Sequence, residues 1–241
     1  MKTKPSLALV TGAARRLGKA IALGLAQEGY AIGLHYNRSK NEAEGTARMI
    51  REQGMPVFLF QADLGDPVQI KSMFLEVDAA GLDLKVLINS ASIMKPGKVG
   101  HISPEDWDET LNINLRAPLL CSQEAASRMH VGGVIINLTD TGASKTWTNF
   151  SAYTVSKAGL ETLTRLSARA FAPAVRVNAI APGLILPSPD TSPEEWEKLV
   201  KKVPVRKAGS EQDIVRAVLF LVKNGYITGD IVHVDGGYGL V

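Results

Sequence analysis

The segment Leu7-Ala8-Leu9-Val10-Thr11-Gly12-Ala13-Ala14-Arg15-Arg16-Leu17-Gly18 decides the fold, because it runs from an apolar strand through a glycine turn into a helix. Four consecutive apolar residues are typical of a parallel strand that is buried on both faces. Glycine directly after a strand permits a tight turn, and the small residues beyond it let the backbone approach a phosphate. The following helix would direct free N–H groups and the positive end of its dipole at that anion. The turn lacks the G-x-G-x-x-G fingerprint, so by itself it is also compatible with a turn that binds nothing.

The alternation of strand and helix continues along the whole chain. Apolar runs predict strands at Leu7–Val10, Ala31–Tyr36, Val57–Gln61, Lys85–Asn89, Val134–Leu138, Val175–Ala181 and Ile231–Val234. Helices are predicted at Leu17–Glu28, Asn41–Gln53, Val68–Ala79, Pro104–Met129, Ser151–Phe171 and Glu211–Val222. No repeat or change of composition divides the chain. We therefore expect one α/β domain over residues 1–241, a Rossmann-type doubly wound parallel sheet of about seven strands with helices on both faces.

Residues 184–205 interrupt this alternation. They are rich in Pro and Ser and contain a short acidic helix, predicted at Pro193–Leu199. An insertion of this kind after a strand lies over the carboxyl edge of the sheet, where doubly wound folds bind their ligands. We expect residues 184–205 to form a substrate lid.

Composition limits the classes of function. The chain has 241 residues, of which 45% are hydrophobic and 21% charged, and a net charge of +3 spread among both signs. This pattern predicts no nucleic-acid partner, and no apolar run approaches the length of a membrane span. Cys121 is the only cysteine, which excludes an internal disulfide and fits a reducing cytosol. The four histidines lack metal-ligand spacing, so we predict no metal site. We also predict a cytoplasmic protein.

The end of the second strand indicates which dinucleotide would bind. Folds that bind NAD place an acidic residue there to hold the ribose 2′-hydroxyl, whereas a cation suits a 2′-phosphate. This chain has His35-Tyr36-Asn37-Arg38-Ser39-Lys40 and no carboxylate before Glu42. Arg38 can form a fork onto phosphate oxygens, Ser39 can donate a hydrogen bond, and Arg15 lies on the adjoining loop. The position and the missing acid favour NADP(H).

A tyrosine and a lysine lie one helical turn apart in Tyr153-Thr154-Val155-Ser156-Lys157. A phenol titrates near pH 10, so it exchanges protons poorly at neutral pH unless its surroundings change its pKa. A neighbouring ammonium favours phenolate, and we expect Lys157 to lower the pKa of Tyr153. This pair alone would also suit an ordinary amphipathic helix.

Taken together, the motifs resemble the short-chain dehydrogenase/reductase superfamily over essentially the full chain. They are the glycine turn, Ala62-Asp63-Leu64, Asn89-Ser90-Ala91, Asn114, Asp140, Tyr153-x-x-x-Lys157, Pro182-Gly183 and Val234-Asp235-Gly236-Gly237. Within that superfamily the chain most resembles the pteridine reductases that reduce dihydropteridines or dihydromonapterin. Three features carry this resemblance: Gly12-Ala13-Ala14-Arg15-Arg16-Leu17-Gly18, His35-Tyr36-Asn37-Arg38-Ser39, and an Asp thirteen residues before Tyr153.

The resemblance implies roles for individual residues. Tyr153 would supply a proton, Lys157 would hold the nicotinamide ribose, and Asn114 would hold a water that links Lys157 to solvent. The implied catalytic residues are Tyr153, Lys157, Asp140 and Asn114. The implied cofactor-binding residues are Gly12, Arg15, Arg16, Leu17, Gly18, Tyr36, Asn37, Arg38, Ser39, Asp63, Leu64, Asn89, Ser90, Ala91, Thr139, Lys157, Pro182, Gly183 and Leu184. The implied substrate residues are Arg16, Met94, Asp140, Tyr153, Leu184 and Trp196.

Asp140 departs from the pattern of most of the superfamily, which has Ser at this position. A serine hydroxyl donates a hydrogen bond to a carbonyl, whereas an ionised Asp only accepts. Asp140 therefore suits a substrate rich in N–H donors, such as a pterin, unless it is protonated. Alternatively, Thr139 or Thr141 does the work of the serine, or Asp140 only caps its own loop.

Two further departures bear on the substrate. Arg16 replaces the usual middle glycine of the turn; in pteridine reductases a similar Arg reaches the cofactor phosphates and the pterin. Met94 stands where the parasite pteridine reductases have a Phe that sandwiches the pterin against the nicotinamide. A thioether can pack on a ring, but less specifically than a phenyl group.

These observations predict an NADPH-dependent reductase that reduces a C=N bond of a (dihydro)pterin, with Tyr153 as proton donor. The alternatives are a carbonyl reductase, for example of 3-oxoacyl thioesters, and a dinucleotide-binding regulatory protein without turnover. The expected partners are a small-molecule substrate and further copies of the chain. A homotetramer is implied by the resemblance, with the Pro104–Met129 and Ser151–Phe171 helices as candidates for a two-fold interface.

Overall fold

The computed structural model describes residues 4–188 and 191–241, which form a seven-stranded parallel sheet with helices on both faces. Its strands are β1 (Leu7–Val10), β2 (Ala31–Tyr36), β3 (Val57–Gln61), β4 (Leu84–Asn89), β5 (Gly133–Leu138), β6 (Val175–Pro182) and β7 (Ile231–Val234). The strand order is β3-β2-β1-β4-β5-β6-β7, and every neighbouring pair is parallel. This is the predicted doubly wound sheet, and the predicted strand ends are correct to within one residue.

The helices follow the prediction except in one place. They are α1 (Arg16–Gln27), α2 (Lys40–Glu52), α3 (Pro67–Ala79), α4 (Pro104–Leu111), α5 (Ala117–Ala126), α6 (Ser151–Phe171), α7 (Pro193–Val200) and α8 (Glu211–Lys223). The helix predicted at Pro104–Met129 is present as a continuous helical stretch from Pro104 to Ala126, in which a π-helical turn at Asn112–Arg116 lies between α4 and α5. Residues 184–205, the predicted lid, contain α7, and residues 189 and 190 lie outside the described residues. Within residues 4–188 and 191–241, no helix has both the length and the apolar character needed to cross a bilayer.

The alternation of side chains along β1 builds a core on each face of the sheet. Ala8 and Val10 pack into a layer that includes apolar residues of α1, α2 and α8, whereas Leu7 and Leu9 pack into a layer with α3 and α5. Cys121 lies in the second layer, fully buried, and burial raises the pKa of its thiol to about 12. The thiol is therefore a structural group.

From β1, the chain adds β2 and β3 on one side of the sheet and β4 to β7 on the other. This change of side between β1 and β4 creates a crevice at their carboxyl ends. Thr11 Oγ1 accepts hydrogen bonds from the main-chain N–H groups of Ser90, at 2.9 Å, and Ala91, at 3.1 Å. Gly12 has φ +64°, and a Cβ atom at this position would lie 2.9 Å from Ala91 Cα. Only glycine fits this left-handed, crowded position. The predicted glycine turn is thus fixed directly against the end of β4.

Candidate active site

A tyrosine and a carboxylate meet at the carboxyl end of β5. Asp140 follows this strand, and Tyr153 lies in the first turn of α6. Tyr153 Oη donates a hydrogen bond of 2.8 Å to Asp140 Oδ2, while Asp140 Oδ1 accepts from the main-chain N–H of Gly142 at 2.6 Å. Tyr153 is buried and Asp140 half-buried. Asp140 therefore caps its own loop, as one alternative proposed, and also contacts the predicted proton donor.

The surroundings of this pair raise both pKa values. Burial raises the pKa of Asp140 against the opposing effects of the Gly142 N–H, the Tyr153 hydroxyl and the Lys157 charge. Burial, followed by the charge and hydrogen bond of Asp140, raises the pKa of Tyr153 well above 10. Lys157 is not among the groups that shift the pKa of Tyr153 here, so its expected lowering of that pKa stays a prediction. Tyr153 consequently keeps its proton at neutral pH, and in this arrangement, without a ligand, it is a weaker acid than a free phenol.

Lys157 lies one turn further along α6, with its ammonium close to the tyrosine ring. Its Nζ lies 5.6 Å from the centroid of the Tyr153 ring and donates a hydrogen bond of 2.8 Å to the Leu138 carbonyl. Burial lowers the pKa of Lys157 to about 8, while the charge of Asp140 opposes that change. An ammonium has three N–H donors, so Lys157 can also hold a hydroxyl group of a ligand.

The two threonines beside Asp140 direct their hydroxyl groups elsewhere. Thr139 Oγ1 donates to the Ile180 carbonyl at 3.1 Å, and Thr141 Oγ1 donates to the Pro182 carbonyl at 2.8 Å. Both threonines are buried. In this geometry it is Asp140, rather than Thr139 or Thr141, that faces the Tyr153 hydroxyl.

Asn114 lies in the π-helical turn and connects the loop after β4 to α6. Its Nδ2 donates to the Ile93 carbonyl at 2.8 Å and to Ser156 Oγ at 3.1 Å. Its Oδ1 accepts from the Ile93 N–H at 2.9 Å and from Ser92 Oγ at 3.1 Å. These contacts use both donors and both lone pairs of the side-chain amide. The amide therefore positions the loop, and the water-holding role implied by the resemblance stays a prediction.

The glycine turn has the shape that a dinucleotide phosphate needs. A Cβ atom on Gly18 would lie 2.3 Å from the Gly12 carbonyl oxygen, so the start of α1 can approach the turn only without a side chain there. The Gly12 N–H donates to His35 Nδ1 at 3.0 Å, and burial lowers the pKa of His35 to about 4. His35 is thus a neutral structural acceptor. Arg15 and Arg38 are exposed beside this turn, so the residues present fit a phosphorylated dinucleotide.

Arg16 connects the glycine turn to the lid. Its backbone has φ +52°, in the left-handed region that favours glycine. Its Nη2 donates to the carbonyls of Leu186, at 3.3 Å, and Pro187, at 3.0 Å. The guanidinium therefore spans the crevice between the proposed phosphate site and the start of the lid.

The other predicted cofactor residues follow the ends of successive strands, but their side chains differ in exposure. Asn37 is exposed. The half-buried residues are Leu17, Ser39, Asp63, Ser90, Ala91, Gly183 and Leu184. The buried residues are Tyr36, Leu64 and Pro182. The side chain of Asn89 does not face the crevice: its Nδ2 donates to Asn137 Oδ1 at 2.8 Å and to Ser122 Oγ at 3.2 Å within the protein interior. Only the backbone of Asn89 is available at the edge of the sheet.

Met94 and Trp196 remain predicted substrate contacts. Met94 is 44% exposed on the loop after β4, and Trp196 is half-buried on α7. The structure adds Tyr238, which the motifs do not indicate: Asp140 is close enough to contribute to a raised pKa of this phenol, after burial. Among the described residues, no group of three or more His, Cys, Asp or Glu side chains could hold a metal ion.

Comparisons with known proteins match nearly the whole chain. Residues 12–239 match a family model described as enoyl-(acyl carrier protein) reductase. The 3-oxoacyl-[acyl-carrier-protein] reductase FabG of Staphylococcus aureus is 36% identical over 237 residues, covering 95% of this chain and 96% of the relative.

Solved structures of similar proteins superpose closely. FolM alternative dihydrofolate reductase 1 from Brucella canis, complexed with NADP, has a TM-score of 0.94 and 34% identity, covering 99% of this chain and 95% of that one. A blue fluorescent protein from a metagenomic library, in complex with NADPH, has a TM-score of 0.91 and 32% identity, with 97% of each chain covered. Both complexes agree with the predicted cofactor. With these matches and the Asp140–Tyr153–Lys157 site at the carboxyl edge of its sheet, the chain is an oxidoreductase that belongs to the short-chain dehydrogenase/reductase family.

Proposed function

We propose that this protein is an NADPH-dependent reductase of a (dihydro)pterin, in which Tyr153 donates the proton that completes reduction of a C=N bond. The observation that carries the proposal is the hydrogen bond from Tyr153 to Asp140, at 2.8 Å, in the place where a hydroxyl donor is usual. The similarity to FolM alternative dihydrofolate reductase 1 supports it.

The chemistry of Asp140 favours a pterin over a ketone. The amino group and ring N–H groups of a pterin donate hydrogen bonds, which a carboxylate accepts, whereas a ketone oxygen offers nothing for an ionised Asp to accept. When bound, NADPH supplies the hydride. Lys157 holds the ribose with its free N–H donors, and Tyr153, kept protonated by burial and by Asp140, delivers the proton.

The second candidate is a carbonyl reductase of 3-oxoacyl thioesters. It is favoured by the identity to FabG, which is 36% over nearly the whole chain. In that case Tyr153 alone would donate to the carbonyl, since Thr139 and Thr141 are bound to main-chain carbonyls. A dinucleotide-binding regulatory protein is a weaker alternative, because Asn114, Tyr153 and Lys157 are all present and brought together.

NADPH oxidation measured side by side with a dihydropterin, a 3-oxoacyl thioester and a simple ketone tests the proposal. We expect the dihydropterin to give the highest kcat/KM. A higher kcat/KM for the thioester would favour the carbonyl reductase, and no oxidation with any of the three would favour the regulatory protein.

The cofactor prediction is tested by Arg38→Ala. Arg38 is exposed at the end of β2, where the 2′-phosphate of NADPH would lie, and an Arg–phosphate contact is charge-assisted. We expect the Kd for NADPH to rise about 10- to 100-fold while the Kd for NADH changes little. Fluorescence titration measures both constants, and Arg48→Ala, an exposed arginine on α2, is the matched control. Equal affinity of the wild type for NADPH and NADH would contradict the prediction.

We also propose a homotetramer that uses the outer surface of α6. An apolar depression of about 370 Å³, lined mainly by leucines of α4, α5 and α6, opens beside Leu163, and Leu166 is 63% exposed on the same helix. A closed assembly would bury this surface in a two-fold contact. Leu166→Glu is expected to lower the mass measured by light scattering, whereas Leu75→Glu, at a leucine of similar exposure on α3 (58%), leaves it unchanged. A wild type that is monomeric at micromolar concentration would refute the assembly.

The remaining expectations concern the cellular setting. We propose a cytoplasmic enzyme with a small-molecule substrate and no nucleic-acid partner. A single free thiol at Cys121 and a net charge of only +3 support this proposal.

A further inference from the structure

His35 is a buried titratable side chain that the reaction described above does not use. It is 2% exposed and lies near the carboxyl end of β2, the strand between β1 and β3. The last residues paired between β1 and β2 are Val10 and Leu34, so His35 lies where β1 has already passed into the glycine turn. On the other side, β3 continues beside β2 as far as Gln61, which pairs with Tyr36. His35 is therefore placed between the segments that follow β1 and β3.

The two ring nitrogens of His35 bind these two segments. The N–H of Gly12, in the glycine turn, donates to Nδ1 at 3.0 Å. Nε2 lies 3.1 Å from the carbonyl oxygen of Ala62, a buried residue that directly follows β3. A main-chain N–H only donates, so Nδ1 is the acceptor, and the single proton of the neutral ring lies on Nε2, which donates it to Ala62. The contacts thus select one tautomer and make the ring a rigid bridge.

The bridge requires an uncharged ring. A charged imidazole carries a proton on both nitrogens, so its Nδ1 would face the Gly12 N–H donor to donor. Burial lowers the pKa of His35 to about 4, against the opposing effects of the Ala62 carbonyl and the Asp63 charge. Among the described residues, Asp63 is the charged group that contributes to this pKa. The ring is therefore neutral near pH 7, and both hydrogen bonds are retained.

The two bridged segments are the ones that a dinucleotide would span. The glycine turn is the predicted phosphate site, and Asp63 and Leu64 are the implied contacts of the adenine. Because one ligand binds to both segments, a fixed separation between them lowers the cost of binding. The backbone of β2 binds each segment separately, through the N–H groups of Ala13 and Ala62. The imidazole of His35 joins the two segments directly.

We propose that His35 is a positioning residue for NADP(H), a neutral imidazole that holds the glycine turn and the adenine loop, residues 62–65, at the separation that the dinucleotide requires. In this role His35 does not contact the cofactor and acts through Gly12 and Ala62. An apolar side chain could occupy the same space but would supply neither hydrogen bond. The inference concerns the cofactor alone, so it holds for a pterin and for a 3-oxoacyl thioester as substrate.

Fluorescence titration with NADPH tests the proposal with three variants. We expect His35→Leu, which removes both hydrogen bonds, to raise the Kd for NADPH about tenfold. His35→Gln should recover most of the affinity, because its amide has an acceptor oxygen and N–H donors. Asn178→Leu is the matched control. Asn178 is buried and bridges two main-chain groups beside the amino end of β7, with hydrogen bonds of 2.9 Å to the Ile227 carbonyl and 3.1 Å from the Asp230 N–H. Its substitution should lower thermal stability and leave the Kd unchanged.

Nitrogen-15 NMR of the histidine-labelled wild type tests the bridge without any substitution, and it applies even if His35→Leu does not fold. We expect the proton of His35 on Nε2 at about pH 7, and a ring that is still neutral at about pH 5.5. Loss of one signal in His35→Gln assigns it. The exposed His101, His130 and His233 give the reference signals.

The outcomes separate a positioning role from a general effect on stability. A folded His35→Leu protein with the wild-type Kd for NADPH would overturn the proposal, and so would a His35→Gln protein that binds as weakly as His35→Leu. An equal rise of the Kd in Asn178→Leu would overturn it too, because affinity would then follow stability. A proton on Nδ1, or a charged ring at about pH 5.5, would contradict the bridge itself. Failure of pterin reduction would affect only the proposed function, since these measurements use no substrate.

Discussion

Tyr153→Phe is expected to lower kcat about 10²- to 10⁴-fold, the usual contribution of a positioned acid or base. The substitution removes only the hydroxyl, which donates to Asp140 at 2.8 Å. Lys157 and the glycine turn are untouched, so the Kd for NADPH should change little. Steady-state NADPH oxidation gives kcat, and fluorescence titration gives Kd.

Tyr226→Phe is the matched control, because Tyr226 is 99% exposed and lies outside the site. Its kcat should equal that of the wild type. A Tyr153→Phe protein that folds, binds NADPH and retains most of the wild-type kcat would show that Tyr153 does not supply the proton.

Substitution of Asp140 separates the two enzyme proposals. If the substrate is a pterin, Asp140→Ala should abolish measurable turnover while the Kd for NADPH is largely preserved, since Lys157 still holds the ribose. Asp140→Ser should not restore pterin reduction, but its hydroxyl can donate to a carbonyl and should reveal activity on ketones. The measurements are kcat/KM for a dihydropterin and a ketone with each variant.

Thr141→Ala is the control for this series. Thr141 Oγ1 donates to the Pro182 carbonyl rather than toward Tyr153, so its removal should leave most of the turnover. The pterin proposal is contradicted if Asp140→Ala turns over every dihydropterin at the wild-type rate. If Thr141→Ala or Thr139→Ala instead removes the activity, a threonine does the work of the usual serine.

The fold could be predicted almost completely because its signals are local. Continuous apolar runs such as Leu7–Val10 are typical of strands that are covered on both faces, and Gly29 and Gly54, with positive φ, follow the ends of α1 and α2. The π-helical turn within the predicted Pro104–Met129 helix could not be predicted. Its Asn114 contacts Ile93 and Ser156, which are distant along the chain.

The residues of the candidate site could be predicted from the sequence, but the shift in the pKa of Tyr153 could not. Asp140 and Tyr153 carry a recognisable spacing, and the structure brings them into contact. Whether the pKa of Tyr153 is raised or lowered could not be predicted from that spacing, because the shift depends on burial and on the contact with Asp140.

Isotope transfer shows whether hydride and proton are added to a pterin C=N bond at the Asp140–Tyr153–Lys157 site. The protein is incubated with a dihydropterin, a 3-oxoacyl thioester and NADPH that is deuterated at the transferring position of the nicotinamide, and the products are analysed by mass spectrometry. We expect a tetrahydropterin that carries deuterium at the reduced carbon, and no such product with Tyr153→Phe. Deuterium in the 3-hydroxyacyl thioester, with the dihydropterin recovered unreduced and unlabelled, would contradict it.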